Sequence, residues 1–226
     1  MHRLALPFKL RWEDRYFLRK FPRMVAGSDK ALAQRIREQA ATIVQEEIPR
    51  IVDQQSQGHA LMCALVLAAY RELQPTRSEP ELLEFLAKMF CKAAGGKYVQ
   101  WGSRLMLWFQ RDARRFVRFF SGDRTQRAYR KWFRIIEEES DTQFRVLVQR
   151  CGFYDFFHRH QEPQLTRILC EWDYLWADEI NRVDRGVIFK RPQTIAQGAD
   201  YCAFEFYFTR STSGTGRAGQ DSENPG

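Results

Sequence analysis

The sequence has no long apolar run. Its longest, Ala60 to Tyr70, falls well short of the ~20 residues that span a bilayer core, so it reads as a helix buried inside a soluble fold. Met1 to Lys20 is studded with Arg and Lys and lacks an uninterrupted apolar stretch. No export signal is read there, and a cytoplasmic location is expected. Cysteine is scarce: five residues, scattered and odd in number, exclude a disulfide scaffold, and free thiols are expected. No C-x-x-C pair occurs, which removes the spacing signature of a structural zinc site. Internal repeats and recognisable nucleic-acid-binding motifs are also missing.

What is present argues for a folded domain. Hydrophobic residues make up 44% of the 226 and charged residues 28%, enough for a core and too apolar for general disorder. Aromatics are plentiful, with 18 Phe, 6 Trp and 8 Tyr. Such side chains fill cores and line ligand cavities. The net charge of +8 is concentrated: Arg104 to Arg134 holds ten Lys or Arg against Asp112 and Asp123.

Periodicity divides the chain. Residues 1–27 are basic and aromatic, interrupted by Pro7 and Pro22, and read as an irregular arm or short helices. Ser28 or Asp29 caps a helix carrying Leu32, Ile36, Ala40, Ile43 and Ile48, ended by Pro49. Gln57 to Leu73 is the buried helix. Ser78 and Glu81 form a capping-box pattern for a helix with Leu82, Leu86 and Met89 or Phe90 inward, stopped at Gly95-Gly96. Leu105 to Phe120 reads as a basic helix. Asp123 opens a further helix with Tyr129, Trp132, Phe133 and Ile136 on one face. The period then changes to two. Phe144, Val146 and Val148 alternate as a strand that runs into Cys151-Gly152, and a loop with His158 and His160 follows. Glu162-Pro163 opens a helix to about Leu175. Val187 to Lys190 and Tyr201 to Phe208 read as strands, with a turn at Gly198. Residues 211–226 lack large apolar side chains and read as a disordered tail. Helices first and strands late predict an α+β fold, a helix-rich N-terminal two-thirds packed with a small, mainly antiparallel C-terminal sheet. One domain is expected over residues 28–210.

Cys63 and Cys91 sit on apolar helices and read as core residues. Cys151, Cys170 and Cys202 come from three different elements, and Asp173 shares a helix face with Cys170 at i, i+3. Convergence of these four would serve two chemistries. One is a thiol nucleophile with a carboxylate moving protons. The other is a Cys3Asp zinc site. The bland alternative is three core cysteines. His59 reads as a helix-end residue.

The ordered set Val148-Gln149-Arg150-Cys151, then Glu162-Pro163-Gln164-Leu165 leading to Cys170-Glu171-Trp172-Asp173, then Arg191, Thr194, Gly198 and Cys202 resembles the L-2-amino-thiazoline-4-carboxylic acid hydrolase-like family. The resemblance spans residues 146–208 and extends more loosely to the helical run from His59 to Phe90. It implies a bacterial hydrolase of small-molecule metabolism, opening a C–N bond in a carboxylated cyclic amidine or thiazoline. Gly152 stands where the family often has Pro, and Ala203 where it often has Asp.

The expectation is therefore a small-molecule hydrolase with Cys151, Cys170, Asp173 and Cys202 as the catalytic set. Arg191 is expected to pair with a substrate carboxylate, with Tyr154 and Trp172 lining the pocket. No cofactor is expected. The alternative is a non-catalytic module that binds a metal, zinc at those four residues, or a small ligand. The basic stripe Arg111, Arg114, Arg115 and Arg118, interleaved with Phe116, Phe119 and Phe120, is read as a solvated helix face and not as a nucleic-acid site.

Overall fold

The computed structural model describes residues 10–109, 113–121, 129–183 and 186–208. The tail, Arg111 and the Asp123 cap lie outside the described residues. Helices dominate the N-terminal part and a four-stranded sheet the C-terminal part, as the change of period predicts.

The first helix, α1 (Trp12–Ala26), is one continuous helix where an irregular arm or short helices are expected. Pro22 lies inside it without ending it. Phe17 and Phe21 repeat at i, i+4 and stack at 5.2 Å. Both join the main core, and this burial outweighs the missing proline N–H. Gly27 ends the helix at φ 58°, with its N–H on the Arg23 carbonyl. Asp29 caps α2 (Lys30–Glu47) by accepting the Leu32 N–H at 2.9 Å. Ile36, Ala40 and Ile43 are buried, but Ile48 falls on the following 3₁₀ turn and is exposed. The apolar helix α3 (Gln54–Leu73) starts at a capping box between Asp53 and Ser56. From Ala60 to Tyr70 every residue but Met62 is buried. The helix α4 (Glu79–Ala93) turns Leu82, Leu86 and Phe90 inward. Gly95, at φ 79°, separates it from α5 (Gly96–Phe109). A Cβ at Gly96 would lie 2.8 Å from both the Cys91 carbonyl oxygen and Leu175 Cδ1, so glycine permits the close approach there. The basic stretch is divided between α5 and α6 (Ala113–Ser121).

The remaining elements are β1 (Arg134–Glu139), β2 (Gln143–Arg150), α7 (Gly152–Arg159), α8 (Thr166–Val183), β3 (Val187–Lys190) and β4 (Cys202–Phe208). Two expectations fail here. Ile136 lies on a strand, not on a helix with Tyr129. The aromatic spacing imitates a helix, but Ile135 and Ile136 pair across to Val148 and Leu147, and cross-strand packing overrides the local pattern. Residues 152–159 form α7 in place of a loop, because Phe156 and Phe157 bury completely.

The sheet is antiparallel throughout, in the order β1-β2-β4-β3. Phe144 faces Phe206, Val146 faces Phe204 and Val148 faces Cys202. Alternation puts these six on one face, turned to the helices. On the other face Arg145 pairs with Glu138 at 2.7 Å and Glu205 at 3.3 Å. The basic helix α6 buries Phe116 and Val117. Its Arg118 pairs with Glu139 on β1, and Arg114 donates to the Asp141 carbonyl and lies over the Phe208 ring. Among the described residues no helix is long and apolar enough to cross a membrane.

Candidate functional site

Between the inner face of the sheet, α8 and the helices α1, α3, α4 and α5 lies a largely apolar cavity of about 820 Å3. The sequence places each polar side chain on its wall by a local rule. Cys151 is the last residue before α7, where β2 stops. A Cβ at Gly152 would come within 2.7 Å of the Trp132 carbonyl oxygen, so the turn into α7 requires glycine. Cys170 and Asp173 are one turn apart on α8. Cys202 begins β4 opposite Val148, and its sulfur accepts the Ile195 N–H at 3.2 Å.

Arg191, just past β3, ties these elements together. Its side chain is only 3% exposed. One terminal nitrogen lies 3.3 Å from Asp173 Oδ2, and the other donates to the Cys170 carbonyl at 3.1 Å. The guanidinium also lies over the rings of Phe204, at 4.4 Å, and Tyr174, at 5.3 Å. Its Nε has no partner.

Cys151, Cys170, Asp173, Cys202, Arg191 and Trp172 thus line the same cavity. Tyr154 does not: it stacks on His158 at 5.7 Å, and Phe153 takes the wall position. Ala203 is buried on the opposite sheet face from Cys202 and Phe204 and stays off the wall. His158 and His160 lie on α7 and its cap, away from the cavity, with His160 3.3 Å from Glu47. Cys63 is buried in the main core and Cys91 half-buried against it, as expected.

Sequence reasoning missed His59. It is no helix-end residue: it sits one turn into α3, buried, and on the cavity wall. Its ring stacks on Tyr129 at 5.6 Å and meets Phe153 edge-on at 5.2 Å. The sequence carries no signal for that role, since one polar residue at the head of the apolar run from Ala60 to Tyr70 reads as a helix end. At the cavity mouth Arg11 pairs with Asp14 at 3.2 Å. Gly58 lets Asp14 approach α3.

Burial governs the protonation of this wall. It pushes the Cys170 thiol up to about 12, beyond what Arg191 offsets, and raises Cys151 and Cys202 as well. The free protein therefore holds these three as thiols at neutral pH. Burial raises Asp173 to about 6 despite Arg191 beside it. Burial and nearby Arg11 lower His59 to about 4, so its imidazole is neutral. Among the described residues no three His, Cys, Asp or Glu side chains are arranged to hold a metal ion. The cation beside Asp173 and the thiols is Arg191 itself.

The fold and site define a helix-rich α+β protein built around a small-molecule-sized cavity with a carboxylate, an arginine and thiols on its wall. The chain belongs to the L-2-amino-thiazoline-4-carboxylic acid hydrolase family, whose profile matches residues 54–206, from the start of α3 into β4. No curated protein and no solved structure matches the chain.

Proposed function

We propose that the protein hydrolyses a C–N bond in a carboxylated small molecule, of the cyclic amidine or thiazoline type, with Asp173 as the group that moves the proton. The observation that carries this reading is the Asp173–Arg191 pair on the cavity wall, where burial brings the carboxylate to about 6. A base titrating near the working pH is poised for general acid–base catalysis. A water on Asp173 adds to the electrophilic C=N carbon: its oxygen bonds to carbon, the π pair moves to nitrogen, and its first proton passes through the carboxylate to that nitrogen. The new hydroxyl then gives the second proton to Asp173 as C=O forms, and the C–N bond breaks as Asp173 hands that proton to the departing nitrogen. Arg191, with a free Nε, holds the substrate's carboxylate, and its contact with Asp173 keeps the base oriented. Cys151, Cys170 and Cys202 give the water a close, weakly polar wall.

A second reading has the Cys170 sulfur as nucleophile. It is favoured by the placement of Cys170 one turn from Asp173, which would accept the thiol proton. The two readings share the base and differ in the attacking atom. The test is the pH profile of kcat/KM on thiazoline carboxylates. Activity is expected to rise with pH through about 6, as Asp173 loses its proton, and to lose that limb in Asp173→Asn. A flat profile through that range removes Asp173 as base. Tight binding without any turnover would leave the non-catalytic binding module.

A further inference from the structure

The cavity is much larger than the family's named substrate needs. That substrate is a single small ring bearing an amine and a carboxylate. A cavity of about 820 Å3 lies in the upper part of the range, about 300–1,000 Å3, that engulfs drug-sized ligands. Its walls between the Asp173 end and the mouth are apolar, including Met62, Val99, Phe133, Phe153 and Trp172. Water fills such a space poorly, because each molecule needs two to four polar partners. At the mouth stand two aromatics that the fold leaves in solvent, Trp12 at 76% and Tyr98 at 78% exposure. Exposed aromatics at a cavity entrance suit the passage of an apolar group.

Polar groups on this wall are few and specific. Three buried side chains that line it carry an atom without a partner: Arg191 Nε, Thr166 Oγ1 and His59 Nδ1. Buried polar atoms are normally satisfied, and these three give a ligand in the cavity three positions at which to hydrogen-bond.

We propose that the site takes an amphipathic carboxylate: an anionic head on Arg191 and an apolar alkyl or aryl body filling the space towards Trp12 and Tyr98. This deepens the hydrolase reading of the same site and rests on it for the head lying next to Asp173. Arg191 is the buried cation on the wall with an open donor, which fixes the head at that end. Thr166 and His59 offer two further hydrogen-bonding positions along the body, so a ligand with one or two polar atoms there fits better than a plain chain.

The test is calorimetric titration of the full chain with straight-chain carboxylates from acetate to dodecanoate, beside the matching primary alcohols. Affinity is expected to rise about fourfold per methylene over the middle of the series. The alcohols are expected to bind at least about tenfold more weakly, since they give Arg191 no charge. Equal affinity at all lengths, or no binding at any length, overturns the proposal. So does equal affinity of acid and alcohol. Val99→Trp, checked by circular dichroism for folding, is expected to cost the longer acids at least about tenfold more than it costs acetate, because added bulk removes the room for the body. The length series needs no variant and decides the matter if Val99→Trp fails to fold. Turnover is measured in parallel. Length-dependent binding with no C–N hydrolysis upholds this ligand class and removes the hydrolase reading. Turnover of the small ring acid with no length dependence does the reverse.

Discussion

Glu47, at the end of α2, and Asp173, in the middle of α8, are both carboxylates held away from solvent beside an arginine. Glu47 is 3% exposed and meets Arg159 at 2.5 Å and His160 at 3.3 Å, with Arg50 at 3.7 Å. Burial would raise it, but Arg159 and His160 together outweigh that and hold it at about 2. Asp173 is 20% exposed, onto the cavity, and among the described residues its ion-pair partner is Arg191, at 3.3 Å. Burial prevails there and lifts it to about 6. A carboxylate saturated with donors on the dry side of the fold is a structural tie. One left under-satisfied on a cavity wall is a candidate for proton transfer, the role proposed above for Asp173. The same residue class, buried in both places, is set to opposite ends of its range by how many donors reach it.

The largest expected effect breaks this comparison in two. Asp173→Asn keeps the shape and removes the ionisable group, so kcat/KM is expected to fall by about 10²–10⁴. Its urea midpoint should hold or rise, because the variant no longer buries a disfavoured charge. Glu47→Ala should do the opposite: a loss of about 3 kcal/mol of stability, with turnover per folded molecule kept. Loss of activity in both, or of stability in both, would erase the distinction.

Next comes the pH dependence of stability, which has opposite sign at the two sites. The native pKa of Glu47 lies below its ordinary value of 4.5, so its contribution is present above that value and is lost as pH falls towards 2. The native pKa of Asp173 lies above its ordinary value of 3.8. The folded state there binds the proton more tightly, so stability is greatest below about 4 and falls by about 3 kcal/mol as pH rises through about 6. His59, lowered to about 4, adds a contribution that runs the other way, lost as pH falls below its ordinary 6.5. Urea denaturation of wild type against Asp173→Asn isolates the Asp173 part: the difference between the two should grow between about pH 4 and about pH 6. A constant difference would mean that Asp173 has the same proton affinity folded and unfolded.

These sites also differ in how far the sequence announces them. The strands over 144–149, 187–190 and 201–208 show their period of two, because each has one face on the core. The buried helix α3 shows as an apolar run. Cys151, Cys170, Asp173, Arg191 and Cys202 form an ordered motif within 52 positions, and the structure brings all of them to the same cavity. The pairing of Arg191 with Asp173 was not legible, since it depends on where β3 ends against α8. His59 was invisible as a wall residue because it arrives from a helix more than 90 positions upstream of Cys151. Tyr154 was misplaced by one residue: reading 152–159 as a loop left the phase of α7 unset, and that phase gives the wall to Phe153. Glu47 gave no signal at all, because its partners Arg159 and His160 lie on an element that sequence reasoning did not foresee.

The smallest expected effect concerns the thiols, and it decides which atom attacks. In the free protein Cys170 is held near 12, and Cys151 and Cys202 are raised too, so thiolate is scarce at neutral pH. Titration of native protein with an aromatic disulfide near pH 7 should label all three slowly, and rapidly only after urea. Cys170→Ser keeps the size and a weak donor while replacing the better nucleophile by a poor one. If water on Asp173 attacks, turnover should fall by less than about tenfold, far short of the loss at Asp173. A fall as deep as that of Asp173→Asn would give the attack to Cys170. The raised thiol would then reach its thiolate only by handing its proton to Asp173 within the complex, and the carboxylate near 6 keeps its role in either case.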